Sequence, residues 1–109
     1  MAKAEGVFNA SKIINSKWKI PILFHLINSK KRYRELKRLL PGINDQMLTK
    51  ELKELQKFNL VNREVYEIIP PKVEYSITDF GTALKDLINS FEAFGNKNSL
   101  QINKVIEKL

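Results

Sequence analysis

Cysteine is absent from the 109 residues, and with it go disulfides, thiolate metal sites and any thiol redox switch. Histidine occurs once, at His25; without a second imidazole or a thiolate beside it, no metal site is expected. No apolar run approaches the ~20 residues of a bilayer span, and the N-terminal stretch lacks a signal-peptide core. A membrane is therefore not expected as a partner, and the expected location is cytoplasmic, which the missing cysteine fits. The four glycines form no phosphate-cradling loop. No paired carboxylates suggest acid–base work, and no Cys or His partner set suggests a nucleophile. Glu51 and Glu54 read as helix-surface charges beside lysines. Neither catalytic residues nor a cofactor are expected, and the chain is not read as an enzyme.

Anions are scarce relative to cations. Twelve Asp and Glu face nineteen Lys and Arg, a net charge of +7, which favours a polyanionic partner. The placement is uneven. Lys30, Lys31, Arg32, Arg34, Lys37 and Arg38 stand against Glu35 alone, whereas the stretch from Asn44 to Lys57 is balanced. The length suits one compact domain over residues 1–109, able to bury about two-thirds of its unfolded surface.

The stretch from Arg32 to Leu60 reads as helix, break, helix. Tyr33, Leu36 and Leu40 fall at helical spacing, and Pro41-Gly42 punctuates. Asn44 suits an N-cap, and Asp45 suits the positive end of the helix that follows. In that helix Leu48, Leu52 and Leu55 make one apolar face. Gln46, Thr49, Lys50 and Lys53 make another, composed of donors, acceptors and cations. Two helices joined by a short break, the second with a polar outer face, suit a helix-turn-helix whose second helix enters the major groove.

On the N-terminal side, residues 1 to 6 read as loosely attached. Val7 to Asn15 reads as a short helix using Phe8, Ile13 and Ile14, too short to stand without packing. Trp18 reads as a core anchor ahead of a helix from about Lys19 to Ile27, with Pro21 in its first turn. Beyond Phe58 the period changes. Val61 to Tyr66 and Lys72 to Ile77 read as strands, and Pro70-Pro71 between them must lie in a hairpin loop. Thr78 caps a helix from about Asp79 to Phe94, with Leu84, Leu87, Ile88, Phe91 and Phe94 on one side and Gly95 as its C-terminal cap. Ser99 caps a last helix carrying Ile102, Val105, Ile106 and Leu109. The fold class is thus α+β, mostly α: a winged helix-turn-helix with extra helices at both ends. The N-terminal arm, residues 1–15, and the C-terminal helix, residues 96–109, are read as dimerisation elements, with the tail folding back on its own core as the alternative.

This order of motifs resembles the HxlR family of bacterial and archaeal winged-helix transcriptional regulators, relatives of the MarR group. The resemblance rests on KWKIPILFHL at Lys17 to Leu26, RYRELKRLLPGIN at Arg32 to Asn44, MLTKELKEL at Met47 to Leu55 and LVNREVYEIIPPKVEYSITDFG at Leu60 to Gly81. It implies a homodimer, paired through its terminal helices, that binds operator DNA as a repressor or activator. Two departures stand out. Members often carry Lys or Arg where this chain has Gln46, and glutamine reads adenine through N6 and N7 whereas arginine favours guanine. Many members sense electrophiles through a cysteine near the N-terminus, which cannot operate here.

The expected partners are double-stranded DNA, at a pseudo-palindromic operator, and a second copy of the chain. Gln46, Thr49, Lys50 and Lys53, with Asn44, are expected at base edges or groove walls; Asn44 and the first amides of its helix can also hold a phosphate. Arg32, Arg34, Lys37, Arg38, Arg63 and Lys72 are expected on phosphates. Phe8, Phe91, Phe94, Ile102, Val105, Ile106 and Leu109 are expected in the dimer interface. A small-molecule effector stays unidentified: Trp18, Tyr33 and the C-terminal aromatics suit a pocket or a core equally. The competing reading is a winged-helix protein–protein interaction module without direct DNA readout.

Overall fold

Leucines at helical spacing build the centre of the molecule. The computed structural model describes residues 3–109. Its elements are α1 (Glu5–Ser11), α2 (Lys19–Leu26), α3 (Tyr33–Leu39), α4 (Asp45–Lys57), β1 (Val61–Tyr66), β2 (Lys72–Ile77), α5 (Asp79–Thr82), α6 (Lys85–Lys97) and α7 (Ser99–Glu107). Ile22, Leu23 and Leu26 from α2 meet Leu36 and Leu40 from the α3 segment, Leu48, Leu52 and Leu55 from α4, and Ile88 from α6. Truncating any one of these leucines to alanine removes about 2–5 kcal/mol.

Each junction has a local cause. Gly42 takes φ +85 in the break between α3 and α4, a left-handed conformation that glycine enters without strain. Asn44 caps α4 as read from the sequence, its Oδ1 accepting the Met47 N–H at 2.8 Å. Asn59, at φ +59, ends α4. The Leu60 N–H reaches Leu55 O at 2.9 Å and the Asn59 N–H reaches Gln56 O at 3.0 Å, the paired closure of a helix end. The chain leaves this turn directly into β1.

β1 and β2 pair antiparallel from Val61↔Ile77 to Tyr66↔Lys72, with the bounds expected from the sequence and the two prolines in the loop. A further rung was not legible there. Lys31, between α2 and α3, exchanges backbone hydrogen bonds with Tyr75 at 3.0 and 2.8 Å, which ties the hairpin to the approach of the helix-turn-helix. The other end of the hairpin is locked by Thr78. Its hydroxyl donates to Asn59 O at 2.7 Å and accepts the Gly81 N–H at 2.8 Å. A Cβ on Gly81 would lie 2.5 Å from Leu60 O, so this close approach requires glycine.

Several boundaries differ from the sequence reading. The N-terminal helix starts and stops earlier than Val7 to Asn15: Glu5 and Gly6 are already helical, and Ile13 and Ile14 lie beyond its end, packed against the core. Residues 1 and 2 of the stretch read as loose lie outside the described residues. The expected helix from Asp79 to Phe94 is two, because the chain turns at Ala83-Leu84 so that α5 can seat on the strand end while α6 returns to α2. Gly95 does not cap α6, which continues to Lys97. Ser99 is the first residue of α7 rather than its cap, and the flanking Asn98 turns its side chain back to Phe94 O at 3.0 Å. Trp18 is half-buried against the core rather than central to it.

Candidate nucleic-acid interface

α4 is amphipathic in the sense its sequence requires. Leu48, Leu52 and Leu55 are buried, while Gln46, Thr49, Lys50 and Lys53 are all exposed along one outer side. Asn44 is exposed as well, but its oxygen is committed to the cap, which leaves the side-chain amide nitrogen and the first backbone amides of α4 to meet a ligand.

The N-terminus of α4 is braced by α3. The Tyr33 hydroxyl lies 3.0 Å from both the carbonyl oxygen and Oδ1 of Asp45, and 3.3 Å from Thr49 Oγ1. Tyr33, which the sequence left open between core and pocket, is half-buried and carries this polar brace at its tip. Lys37 Nζ reaches Asp45 Oδ1 at 2.9 Å. The Lys37 and Tyr33 hydrogen bonds hold the Asp45 carboxyl below its ordinary value. Asp45 is therefore an ionised acceptor on the outer side of α4, a role that sequence reasoning assigned only to the helix dipole.

The cations fall into two groups. Arg34, Arg38, Lys50, Lys53 and Arg63 are exposed and make no ion pair among the described residues. Arg34, Lys37 and Arg38 line one shallow surface on α3. Thr49, Lys53, Gln56 and Arg63 line a recess of about 360 Å³ between α4 and β1. Arg32 opens α3, its backbone N–H donating to Glu35 Oε1 at 2.9 Å while its side chain is exposed. Lys72 and Lys30, by contrast, are engaged. Lys72 sits 3.6 Å from Glu74 and 5.0 Å from the centre of the Tyr66 ring. Lys30 pairs with Glu64 at 3.2 Å, and Tyr66 donates to the same carboxylate oxygen at 2.6 Å. The Tyr66 and Lys30 hydrogen bonds hold Glu64 below the usual carboxylate range.

One expectation is overturned. Glu51 is not a surface charge. It is 2 % exposed, and its partner is Lys19 of α2, 1 % exposed and 3.1 Å away. Burial pulls the Lys19 ammonium down, yet its hydrogen bonds to Glu54 and Glu51 together hold it above the ordinary lysine value. Glu54 lies 2.6 Å from the same ammonium, half-buried, and is held below its ordinary value chiefly by that bond. The lysines next to Glu51 in sequence supplied a local explanation, and the real partner stands 32 residues away.

The residues expected at a dimer interface lie on the terminal helices. Phe8, Phe91 and Phe94 are 61–65 % exposed, Val105 and Ile106 are exposed on α7 with Ile102 half-buried, and Leu109 is exposed just past its end. α7 meets α6, and Leu100, Val105 and Ile106 remain exposed on it. A recess of about 670 Å³ lies between α2 and α6 and is lined by Ile14, Pro21, Phe24, His25, Ile88 and Phe91 among others. Trp18 and Tyr33 do not line it. Burial, with the charge of Lys31, holds the His25 imidazole below its ordinary value. Among the described residues no cluster of His, Cys, Asp and Glu could hold a metal ion, and no helix is long and apolar enough to cross a membrane.

Comparison with known proteins agrees with this geometry. A family model described as HxlR-like helix-turn-helix matches residues 13–103. The HTH-type transcriptional regulator YdeP of Bacillus subtilis is 45 % identical over 93 residues, covering 85 % of this chain and 73 % of its own. The structure of the redox regulator HypR in its oxidised form is similar with a TM-score of 0.83 at 41 % identity, covering 85 % of this chain and 96 % of that one. A regulator assigned to the MarR family from Porphyromonas gingivalis W83 superposes with a TM-score of 0.83 at 36 % identity, covering 90 % and 96 % of the two chains.

Proposed function

The chain belongs to the HxlR-like helix-turn-helix family of transcriptional regulators, and from that premise we propose that it acts as a homodimer, reading a pseudo-palindromic operator with the outer face of α4. The observation that carries this is the exposed set Gln46, Thr49, Lys50 and Lys53, beside Arg34 and Arg38 of α3, which make no ion pair among the described residues. Gln46 would present its amide to adenine N6 and N7. Asn44 and the first amides of α4 would take a phosphate, and Lys50 and Lys53 the groove walls. Arg32, Arg34, Arg38 and Arg63 would hold the flanking phosphates, with Lys37 and Lys72 contributing once released from their carboxylate partners.

Two global measures support the second copy. The accessible surface is 8273 Å², about a third above the roughly 6,200 Å² typical of a folded monomer of this mass. The radius of gyration is 15.8 Å, against about 13 Å for a compact domain of this length. Among the open side chains are the aromatic and aliphatic residues of α1, α6 and α7. In a single domain over residues 1–109, these segments would serve pairing rather than the core.

Selection of bound duplexes from a random pool tests the proposal. An enriched inverted repeat with half-site centres about 34 Å apart is the expected result. No enriched sequence, together with a protein partner whose binding survives well above about 0.3 M salt, would instead favour a protein-binding surface, since phosphate contacts weaken steeply with salt.

A further inference from the structure

We propose that Lys19, with Ser16 and Glu51, is a positioning group that sets the rotation of α4 and so decides which base edges its outer face can reach. The inference rests on the reading of α4 as the groove element, and it concerns residues that would touch no DNA.

The leucines do not suffice for this task. Leu48, Leu52 and Leu55 hold α4 by packing, which has no preferred direction and tolerates small rotations. A rotation of about 10° moves a side-chain tip 5–6 Å from the helix axis by about 1 Å. That is enough to spoil a hydrogen bond to a base edge.

The cluster adds direction. Glu51 stands two residues from both Thr49 and Lys53, about 200° away around the helix, so it projects on the side opposite them. Its Oε2 accepts the Ser16 hydroxyl proton, and its Oε1 accepts from Lys19 Nζ at 3.1 Å. The Ser16 oxygen in turn accepts the N–H groups of Trp18 and Lys19 at 3.2 and 3.1 Å, which fixes the serine to the first turn of α2. Lys19 reaches one turn further along α4, to Glu54 at 2.6 Å. Charged and directional bonds from one point on α2 thus grip neighbouring positions on α4, with the Lys19–Glu51 pair almost fully buried and Glu54 at its half-buried edge. Any rotation or slide would leave a buried charge without its partner, a cost that leucine packing does not impose. This is the role in which buried ion pairs are best attested: specifying one arrangement rather than adding stability.

The test replaces the pair together. Lys19→Met with Glu51→Leu should unfold at the same temperature as the parent or higher. It should bind random duplex with unchanged affinity and salt dependence. Its preference for the selected operator over random duplex should fall at least about ten-fold, the worth of one good base contact. Glu51→Gln, whose amide oxygen can still accept from Lys19, should keep more of that preference than the double replacement does. If the double replacement does not fold, Ser16→Ala decides, with a partial loss of preference at unchanged random-duplex affinity expected. An undiminished operator preference in a folded double variant, or in Ser16→Ala, overturns the inference while leaving the DNA reading intact. A parent protein with no preferred duplex removes both.

Discussion

Gln46 is the side chain on which base discrimination is expected to turn. It is exposed in the first turn of α4, with an amide able to make two hydrogen bonds to adenine. Gln46→Ala should cost about 1–3 kcal/mol on one operator base pair and little on random duplex; fluorescence titration of matched and mutated operators would show it, and equal losses on both would mean that the residue reads no base. The arginines of α3 act differently. Arg34→Ala or Arg38→Ala should weaken every duplex alike and reduce the slope of log affinity against log salt by about 0.9 each. Lys37→Ala should change that slope less, because its ammonium already lies against Asp45. A slope change as large for Lys37 as for Arg34 would show that the ion pair opens fully on binding. These surface positions were legible in the sequence, since helical spacing alone puts Gln46, Thr49 and Lys53 on one side. Glu51 was not, because its environment is made by a residue distant along the chain.

At the level of elements, the hairpin was the most legible part. Alternating β-branched and aromatic residues on either side of two prolines leave little freedom, and β1 and β2 have the bounds read from sequence. The split of α5 from α6 was hidden, since helical spacing continues unbroken across Ala83 and Leu84 and only packing onto the strand end reveals the turn. Gly81 shows why: a Cβ there would lie 2.5 Å from Leu60 O. Gly81→Ala should destabilise the protein by roughly 1–3 kcal/mol, the usual cost of forced overpacking, measured by urea unfolding; an unchanged midpoint would mean that the junction yields freely. The bond between α2 and α4 predicts a pH dependence. Glu54 is held below its ordinary value of 4.5, so its share of stability is present above that pH and is lost as pH falls. Lys19 is held above its ordinary value of 10.5, so its share is present below that pH and is lost as pH rises through the raised value. It is one interaction seen from two ends. Lys19→Met should cost about 3–5 kcal/mol at neutral pH, because it leaves the Glu51 carboxylate buried without its cation. The part of the loss that comes from Glu54 should shrink in strong acid, where its carboxyl is protonated. Thermal unfolding at several pH values would check both, and a pH-independent loss would contradict the ion-pair origin.

The whole molecule is drawn out by its ends, 52 × 35 × 24 Å, and its largest exposed apolar side chains lie mostly away from α4. That separation suits a body in which one surface pairs copies and another meets the duplex. Removal of residues 96–109 should leave a folded monomer at micromolar concentration in sedimentation; a dimer that persists would place the main contact on α1 and α6 instead. The central claim is that the outer face of α4 lies in the major groove, twice per operator. Chemical methylation of guanine N7, a major-groove atom, on the selected operator tests it most directly. Two protected patches on one face of the duplex, about one helical turn apart, are expected. Uniform reactivity across the bound site, or protection confined to the minor-groove N3 of adenine, would contradict it.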